Sequence, residues 1–202
     1  MDFAFYITAF VTLFVVIDPI GLAPLFVALT QGMDPGHRRA IALRSIAISA
    51  ILLTVFGLFG EAVLGFVGIS MPAFRIAGGI LLFLTALDML FERRTERRQD
   101  TSESAVGDPS VFPLATPLIA GPGAIATMIL LTGQTGGWGA LVLVHLVLFA
   151  VLGVTLTLFL LSGLLEKGLG KVGVNVVTRL LGMLLAALSV QFVVDGVRAL
   201  IV

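Results

Sequence analysis

Long apolar stretches separated by short polar ones run along the whole sequence. Six of them are long enough for a spanning helix of about 20 residues, and they lie near 5–29, 41–68, 72–91, 112–132, 139–165 and 178–200. The connections between them are short, except for the polar and charged residues 92–111. The pattern predicts an all-α polytopic membrane protein with six transmembrane helices.

The long connection divides the predicted helices into two groups of three. The sequence therefore indicates a first three-helix repeat at 1–91, a cytoplasmic polar loop at 92–111 and a second repeat at 112–202. Because three spans are an odd number, the second group enters the membrane from the opposite side. Two such groups form a 3+3 inverted repeat, an architecture found in many secondary transporters.

A short motif recurs in the third and sixth stretches and supports this repeat. In each stretch an arginine, a glycine and a hydroxyl residue follow one another at the same spacing: Arg75, Gly78 and Thr85 in the third, and Arg179, Gly182 and Ser189 in the sixth. Chance similarity between Leu-rich helices is the alternative, and the shared register argues against it.

Two of the six stretches are interrupted by proline and glycine. The first contains Ile17-Asp18-Pro19-Ile20-Gly21, and the fourth contains Thr116-Pro117 followed by Gly121-Pro122-Gly123. Proline removes a backbone donor and glycine loosens a helix, and polar groups freed inside a bilayer need partners in protein or in a wet cavity. We therefore expect helices 1 and 4 to be discontinuous, with Asp18 as the N-cap of a restarted helix.

The predicted interruptions have a chemical consequence. The two restarted helices would present their N-terminal N–H groups, which favour a carboxylate, at the same depth. The carbonyl groups that end the preceding half-helices suit an ammonium group. The pattern thus favours a small neutral amino acid, bound at the midplane by residues of the two interruptions: Asp18, Pro19, Ile20, Gly21, Thr116, Gly121, Pro122 and Gly123. Asp18 could hold the ammonium group or a coupling cation, or it could serve as the structural N-cap of its helix. The two roles are compatible.

Two arginines lie in the first turn of their predicted helices, where a cation meets the helix dipole unfavourably. In an antiparallel pairing of the third and sixth helices, Arg75 lies level with Asp195 and Arg179 lies level with Asp88. We predict two ion pairs that act as thin gates; the alternative is that each arginine extends to the lipid headgroups. His145, in the fifth stretch, either carries a proton or bonds a neighbouring helix.

Composition supports the membrane assignment. The chain is 58% hydrophobic and 12% charged, with a mean hydropathy of +1.14, whereas a soluble domain carries about twice that share of charge. The net charge of zero indicates no nucleic-acid partner. The absence of cysteine excludes a disulfide scaffold and a thiolate metal site.

The basic residues predict the orientation. Basic residues concentrate in the connections after helices one, three and five, and cytoplasmic loops carry such an excess. Both termini are therefore expected on the periplasmic side. The residues concerned are His37, Arg38, Arg39, Arg44, Arg93, Arg94, Arg97, Arg98, Lys167 and Lys171.

The interruptions and the paired arginine motifs resemble those of the MarC family of bacterial inner-membrane proteins, over essentially the whole chain. Members similar to it, the SnatA type, are transporters of glycine, alanine and other neutral amino acids. The resemblance implies ion coupling, by Na⁺ or H⁺, and a fold akin to the LysE exporter superfamily. It leaves the exact substrate, the direction of transport and the oligomeric state open.

Other function classes fit the sequence less well. An intramembrane enzyme would need a recognisable catalytic motif, and neither His-Glu-x-x-His nor Gly-x-Ser-x-Gly occurs; we expect no enzyme and no bound cofactor. An exporter of inorganic ions would need several carboxylates or imidazoles at one depth. An exporter of another small solute and a non-transporting membrane protein are further alternatives, although broken helices bring no benefit to a scaffold.

Overall fold

The computed structural model describes residues 3–91 and 108–201, and within these ranges the regular structure is helical. Five helices are long and apolar enough to cross a membrane, and a sixth span results when a helix pair bent by 55° is counted as one. The prediction of an all-α polytopic membrane protein is confirmed. The elements are α1 (Phe3–Ile17), α2 (Pro19–Leu29), α3 (Pro35–Val67), α4 (Met71–Leu90), the π-helical α5 (Ser110–Ile119), α6 (Pro122–Thr132), α7 (Trp138–Leu160) and α8 (Ser162–Ile201).

Local capping explains where α3 begins. It begins six residues before the predicted apolar stretch, because the Asp34 carboxylate accepts a hydrogen bond from the His37 N–H at 2.9 Å and Pro35 occupies the first turn. The helix ends at Gly68, whose φ of 82° is the left-handed conformation that glycine adopts most readily.

The helix ends in two places differ from the predicted stretches. The fifth stretch, predicted to reach residue 165, ends as a helix at Leu160, and α8 starts at Ser162 with a kink at Gly170. α5 starts at Ser110 and so takes in the end of the predicted loop 92–111. The arginine cluster between Arg93 and Arg98 lies outside the described residues.

The core of the molecule lies where α1, α2 and α6 meet the surrounding helices. In the span formed by α1 and α2, 61% of the most apolar 18-residue segment is buried inside the protein. The corresponding share is 22–33% in α3, α4, α7 and α8. In α6 all residues from Ala126 to Thr132 are buried. The two interrupted stretches therefore occupy the interior, and the unbroken helices form most of the outer surface.

Small residues bring α4 and α8 into close antiparallel contact. A Cβ atom at Gly79 would lie 2.9 Å from the Ser189 carbonyl oxygen, and one at Gly182 would lie 3.3 Å from that of Ala86. The backbones approach closely only because these positions carry no side chain. As residue numbers rise in α4 they fall in α8, so the antiparallel pairing predicted from the sequence is confirmed.

Candidate functional site

The first interruption is a single residue wide. Asp18 adopts a left-handed conformation, with φ 57° and ψ 63°, and is fully buried. Its Oδ1 accepts a hydrogen bond from the Gly21 N–H at 3.1 Å, and Pro19 begins α2. The predicted N-cap is confirmed. A non-glycine residue in this conformation costs free energy, and the cap bond at the start of α2 offsets part of that cost.

Gly21 is required by this cap. A Cβ atom at Gly21 would overlap the Asp18 carboxylate, and the Asp18 Cγ would lie 2.8 Å away. The glycine in the Asp18-Pro19-Ile20-Gly21 motif therefore makes room for the carboxylate that caps its own helix.

The second interruption is wider and is built differently. In α5, Phe112 and Thr116 have extended conformations, as expected for residues that precede proline. The Ala120 N–H donates to the Ala115 carbonyl oxygen at 2.8 Å, which closes a wide π-type turn. α6 then starts at Pro122 after an extended Gly121, with no side-chain hydrogen bond at its cap.

The two interruptions lie against each other. A Cβ atom at Gly123, in the first turn of α6, would lie 3.3 Å from Val16 Cγ1 in the last turn of α1. The same atom would lie 3.4 Å from Leu82 Cδ2 and 3.8 Å from Thr85 Oγ1 in α4. The end of α1, the start of α6 and the middle of α4 thus meet at one point in the interior.

The predicted binding residues differ in how far they are buried. Asp18 and Pro19 are buried and Ile20, Gly21, Gly121 and Gly123 are partly exposed, whereas Thr116 and Pro122 are exposed. Whether any of these residues binds a ligand stays a prediction.

Hydroxyl groups near the site are engaged within their own helices. Thr85 Oγ1 donates to the Leu81 carbonyl oxygen at 3.0 Å, and Thr127 Oγ1 donates to that of Gly123 at 2.8 Å. Ser49 Oγ also reaches between helices, to the Ala115 carbonyl oxygen of α5 at 3.4 Å. That contact joins α3 to the irregular segment before the second interruption.

The predicted gate residues lie in the expected register along α4 and α8. Arg75 Nε is buried and has no hydrogen-bond partner among the described residues, while Asp195 Oδ1 accepts from Gln191 Nε2 at 2.8 Å. Asp88 and Arg179 both have interaction partners. The pairing of Arg75 with Asp195 and of Arg179 with Asp88 stays a prediction.

Two cavities lie at opposite ends of the helices. The first, here called the Phe159 cavity, has a volume of about 360 Å³ and lies near the end of α2 and the start of α3. The second, here called the Glu61 cavity, has a volume of about 230 Å³ and lies near the end of α6 and the start of α7. By the path of the chain, the Glu61 cavity is at the face that holds the N-terminus and the Phe159 cavity is at the opposite face.

An aromatic pair forms part of the wall of the Phe159 cavity. The rings of Phe26 and Phe159 stack with centroids 4.6 Å apart, and both side chains are 1% exposed. The Arg38 guanidinium lies 5.7 Å from the Phe26 centroid, and its Nη2 donates to Ser162 Oγ at 3.4 Å. This pair could not be predicted from the sequence, because a phenylalanine that packs in the interior and one that faces lipid occur in the same kind of apolar stretch.

Among the described residues, no three His, Cys, Asp or Glu side chains lie close enough to hold a metal ion. An ion pair joins Arg44 to Asp108, outside the core.

Comparison with known proteins agrees with this architecture. A model of the MarC family of integral membrane proteins matches residues 3–201. The chain belongs to the MarC family. No solved structure matches it.

Curated relatives in the MarC family extend over nearly the whole chain. The UPF0056 membrane protein MJ1677 of Methanocaldococcus jannaschii is 37% identical over 202 residues, covering 98% of both chains. The UPF0056 membrane protein YvbG of Bacillus subtilis is 35% identical, covering 99% of this chain and 97% of the relative. The UPF0056 inner membrane protein YhgN of Escherichia coli is 36% identical, covering 95% of both. These names state a membrane location and no activity.

Proposed function

We propose that the chain is a secondary transporter of small neutral amino acids such as glycine and alanine, coupled to an ion gradient. We place it in the inner membrane, as the name of the Escherichia coli relative suggests, with both termini in the periplasm. The observation that carries the proposal is the contact between the two helix interruptions, with Gly123 of α6 against Val16 of α1.

The start of α6 suits the substrate carboxylate. No side chain caps this helix, and Ala120 and Ala124 beside the cap are buried. The first N–H groups of a helix have no partner within the helix, and in hydrocarbon each one left unmatched costs several kcal/mol. A carboxylate would accept from the N–H groups of Gly123 and Ala124 and would also meet the positive end of the helix dipole.

The start of α2 differs, because Asp18 already caps it. This N-terminus is therefore not the second half of a symmetric carboxylate site. The buried negative charge of Asp18 instead attracts the ammonium group of the substrate or a coupling cation. The two interruptions would then recognise opposite ends of a zwitterion.

The order of elements supports an inverted repeat. α2 and α6 are both 11 residues long and both begin at a proline. The connections that follow them, 30–34 and 133–137, are equal in length and lead to α3 and α7. In this arrangement each half supplies one interrupted helix to the shared site.

The two cavities support alternating access. The Phe159 cavity opens on one face and the Glu61 cavity on the other, and the buried interruptions lie between them. The stacked rings of Phe26 and Phe159 would act as one gate, and the predicted pairs of Arg75 with Asp195 and Arg179 with Asp88 as further thin gates.

The test is uptake of labelled glycine, alanine and serine into proteoliposomes, with and without Na⁺ and pH gradients. We expect uptake above protein-free liposomes under at least one gradient. If none of the three amino acids enters under any gradient, the proposal fails.

A matched pair of variants locates the site. Gly123→Ala adds a methyl group 3.3 Å from Val16 Cγ1, a contact that small shifts relieve, and we expect at least a tenfold loss of uptake with the fold retained. Gly153→Ala in α7 adds the same group where nothing lies within 4 Å, and we expect unchanged uptake. Equal uptake by the two variants would show that the substrate does not bind at the interruptions.

A further inference from the structure

His145 is a buried imidazole with one unsatisfied nitrogen. The side chain is 7% exposed, and Nδ1 lies 2.8 Å from the Leu141 carbonyl oxygen of its own helix. Because a carbonyl oxygen only accepts, Nδ1 carries the hydrogen. Nε2 of the neutral ring is then a bare acceptor, and it has no hydrogen-bond partner in the described part of the chain.

A glycine in α3 makes room for this nitrogen. A Cβ atom at Gly57 would lie 3.0 Å from His145 Nε2 and 3.0 Å from Met128 Cε. The ring therefore fills the space that a side chain at position 57 would take. An unpaired buried acceptor loses its hydrogen bond to water without a replacement, so an unsatisfied group of this kind calls for a functional explanation.

The Glu61 cavity ends close to this buried nitrogen, on the side of the face that holds the N-terminus. Its lining includes Gly57, which adjoins His145 Nε2, and Leu141, which accepts from His145 Nδ1. Glu61 and Thr132 also line it. A volume of about 230 Å³ has room for several water molecules, and these would lie within one side chain of the buried nitrogen.

Glu61 is the titratable group that faces this region from α3. α6 contains no titratable residue, α7 contains only His145, and α1 contains only Tyr6. A carboxylate that lines the route to an imidazole can accept a proton from water and pass it on.

We propose that His145 Nε2 is a proton-binding site supplied through the Glu61 cavity, and that its protonation couples transport to a pH gradient. The proton comes from water in the cavity, adds to the Nε2 lone pair and turns the neutral ring into an imidazolium with Nδ1–H retained. The coupling part of the proposal rests on the transport function proposed above; the binding site itself does not.

The chain has two histidines, so His37→Gln leaves His145 as the single imidazole for NMR in detergent. We expect the neutral ring to carry its hydrogen on Nδ1 and to take up a second proton on Nε2 when the pH is lowered. Glu61→Gln should change the pH dependence of the His145 signals, because Glu61 lines the cavity through which the proton is supplied. A ring that carries its hydrogen on Nε2, that never takes up a second proton, or whose signals are unaffected by Glu61→Gln would overturn the site.

Two glycines of α3 provide a matched test of access. Gly57→Ala places a methyl group against Nε2, whereas Gly65→Ala has nothing within 4 Å. We expect only Gly57→Ala to change the pH dependence of the His145 NMR signals, since the new methyl group hinders access of water to Nε2. The same pH dependence in the two variants would contradict access from the cavity.

Proteoliposomes test the coupling. His145→Gln should retain exchange of labelled alanine against unlabelled alanine but lose at least tenfold of the uptake driven by a pH gradient. Gradient-driven uptake equal to that of the unmodified chain would overturn coupling through His145. If the unmodified chain moves no amino acid at all, the transport proposal fails, while the NMR titration still decides the proton site.

Discussion

At the scale of single residues, the two interruptions restart a helix in different ways. Asp18 takes a left-handed conformation, and its carboxylate caps α2. At the other interruption Gly121 is extended and α6 has no side-chain cap. The capping carboxylate and the helix start without a side-chain cap therefore belong to different interruptions, and this asymmetry is what the proposed zwitterion site requires.

Asp18→Asn separates the two roles of this residue. Asparagine caps helices about as well as aspartate, so the fold should be kept while the charge is lost. If the charge attracts the ammonium group, amino-acid uptake falls at least tenfold with little change in thermal unfolding. Asp18→Ala, which removes both cap and charge, should lower both. Full uptake by Asp18→Asn would restrict Asp18 to its structural role.

Gly21→Ala should destabilise the fold although alanine favours helices. In an unhindered helix the exchange stabilises by about 1 kcal/mol, and Gly153→Ala, with nothing within 4 Å, measures that gain. At Gly21 the new methyl group displaces the Asp18 carboxylate, and loss of an N-cap costs about 0.5–2 kcal/mol. Thermal unfolding in detergent should therefore rank Gly21→Ala below Gly153→Ala. The reverse order would show that the cap contributes little.

At the scale of elements, polar contacts with α3 help to hold α5 in place. Ser49 of α3 donates to the Ala115 carbonyl oxygen inside α5. Just before α5, Asp108 accepts from the Ser110 N–H at 2.9 Å and pairs with Arg44 of α3. An irregular segment of this kind lacks the regular bonds of an α-helix, so side chains of the neighbouring helix supply part of its support.

The pH dependence of thermal unfolding in Asp108→Asn tests the contribution of these polar contacts. The Ser110 backbone N–H, together with the Arg44 charge, holds the pKa of Asp108 below its ordinary value of 3.8. A lowered pKa in the folded state stabilises above the unfolded value, and this contribution is lost as pH falls through the folded value. The unmodified chain should therefore unfold at a higher temperature than Asp108→Asn at neutral pH.

The difference between the two proteins should shrink at a pH below 3.8. It should also shrink in high salt, because the side chains of Arg44 and Asp108 are 56% and 41% exposed. A difference that is constant across pH would show that Asp108 acts through something other than its charge.

The sequence predicts elements better than the contacts between them. Proline and glycine interrupt a helix whatever its tertiary surroundings. The breaks at Asp18 and Gly121 could therefore be located from the residue types alone. The stack of Phe26 on Phe159 depends on how α2 and α7 are placed in space. The same holds for Gly57, whose role is evident only once His145 of α7 lies against it.

At the scale of the whole molecule, the two cavities and the interruptions follow one another from one face to the other. The Glu61 cavity lies at one face, the buried interruptions follow, and the Phe159 cavity lies at the other face. The outer helices α3, α4 and α8 present large apolar side chains outward, which include Ile51, Ile80 and Leu184. The proposed transporter would use the interior between the two cavities, whereas a scaffold would have no use for it.

The orientation of this path can be tested because the chain has no cysteine. Gly136→Cys and Gly163→Cys lie at opposite faces, and in each case nothing is within 4 Å of the new side chain. Since basic residues near Arg38 and Arg39 predict a cytoplasmic side, a membrane-impermeant maleimide added to intact cells should label Gly136→Cys and not Gly163→Cys. Inverted membrane vesicles should give the opposite result. Gly153→Cys, exposed in the middle of α7, should stay unlabelled in both because its thiol faces lipid. Labelling of Gly163→Cys in intact cells would reverse the orientation, and the Glu61 cavity would then take its protons from the cytoplasm.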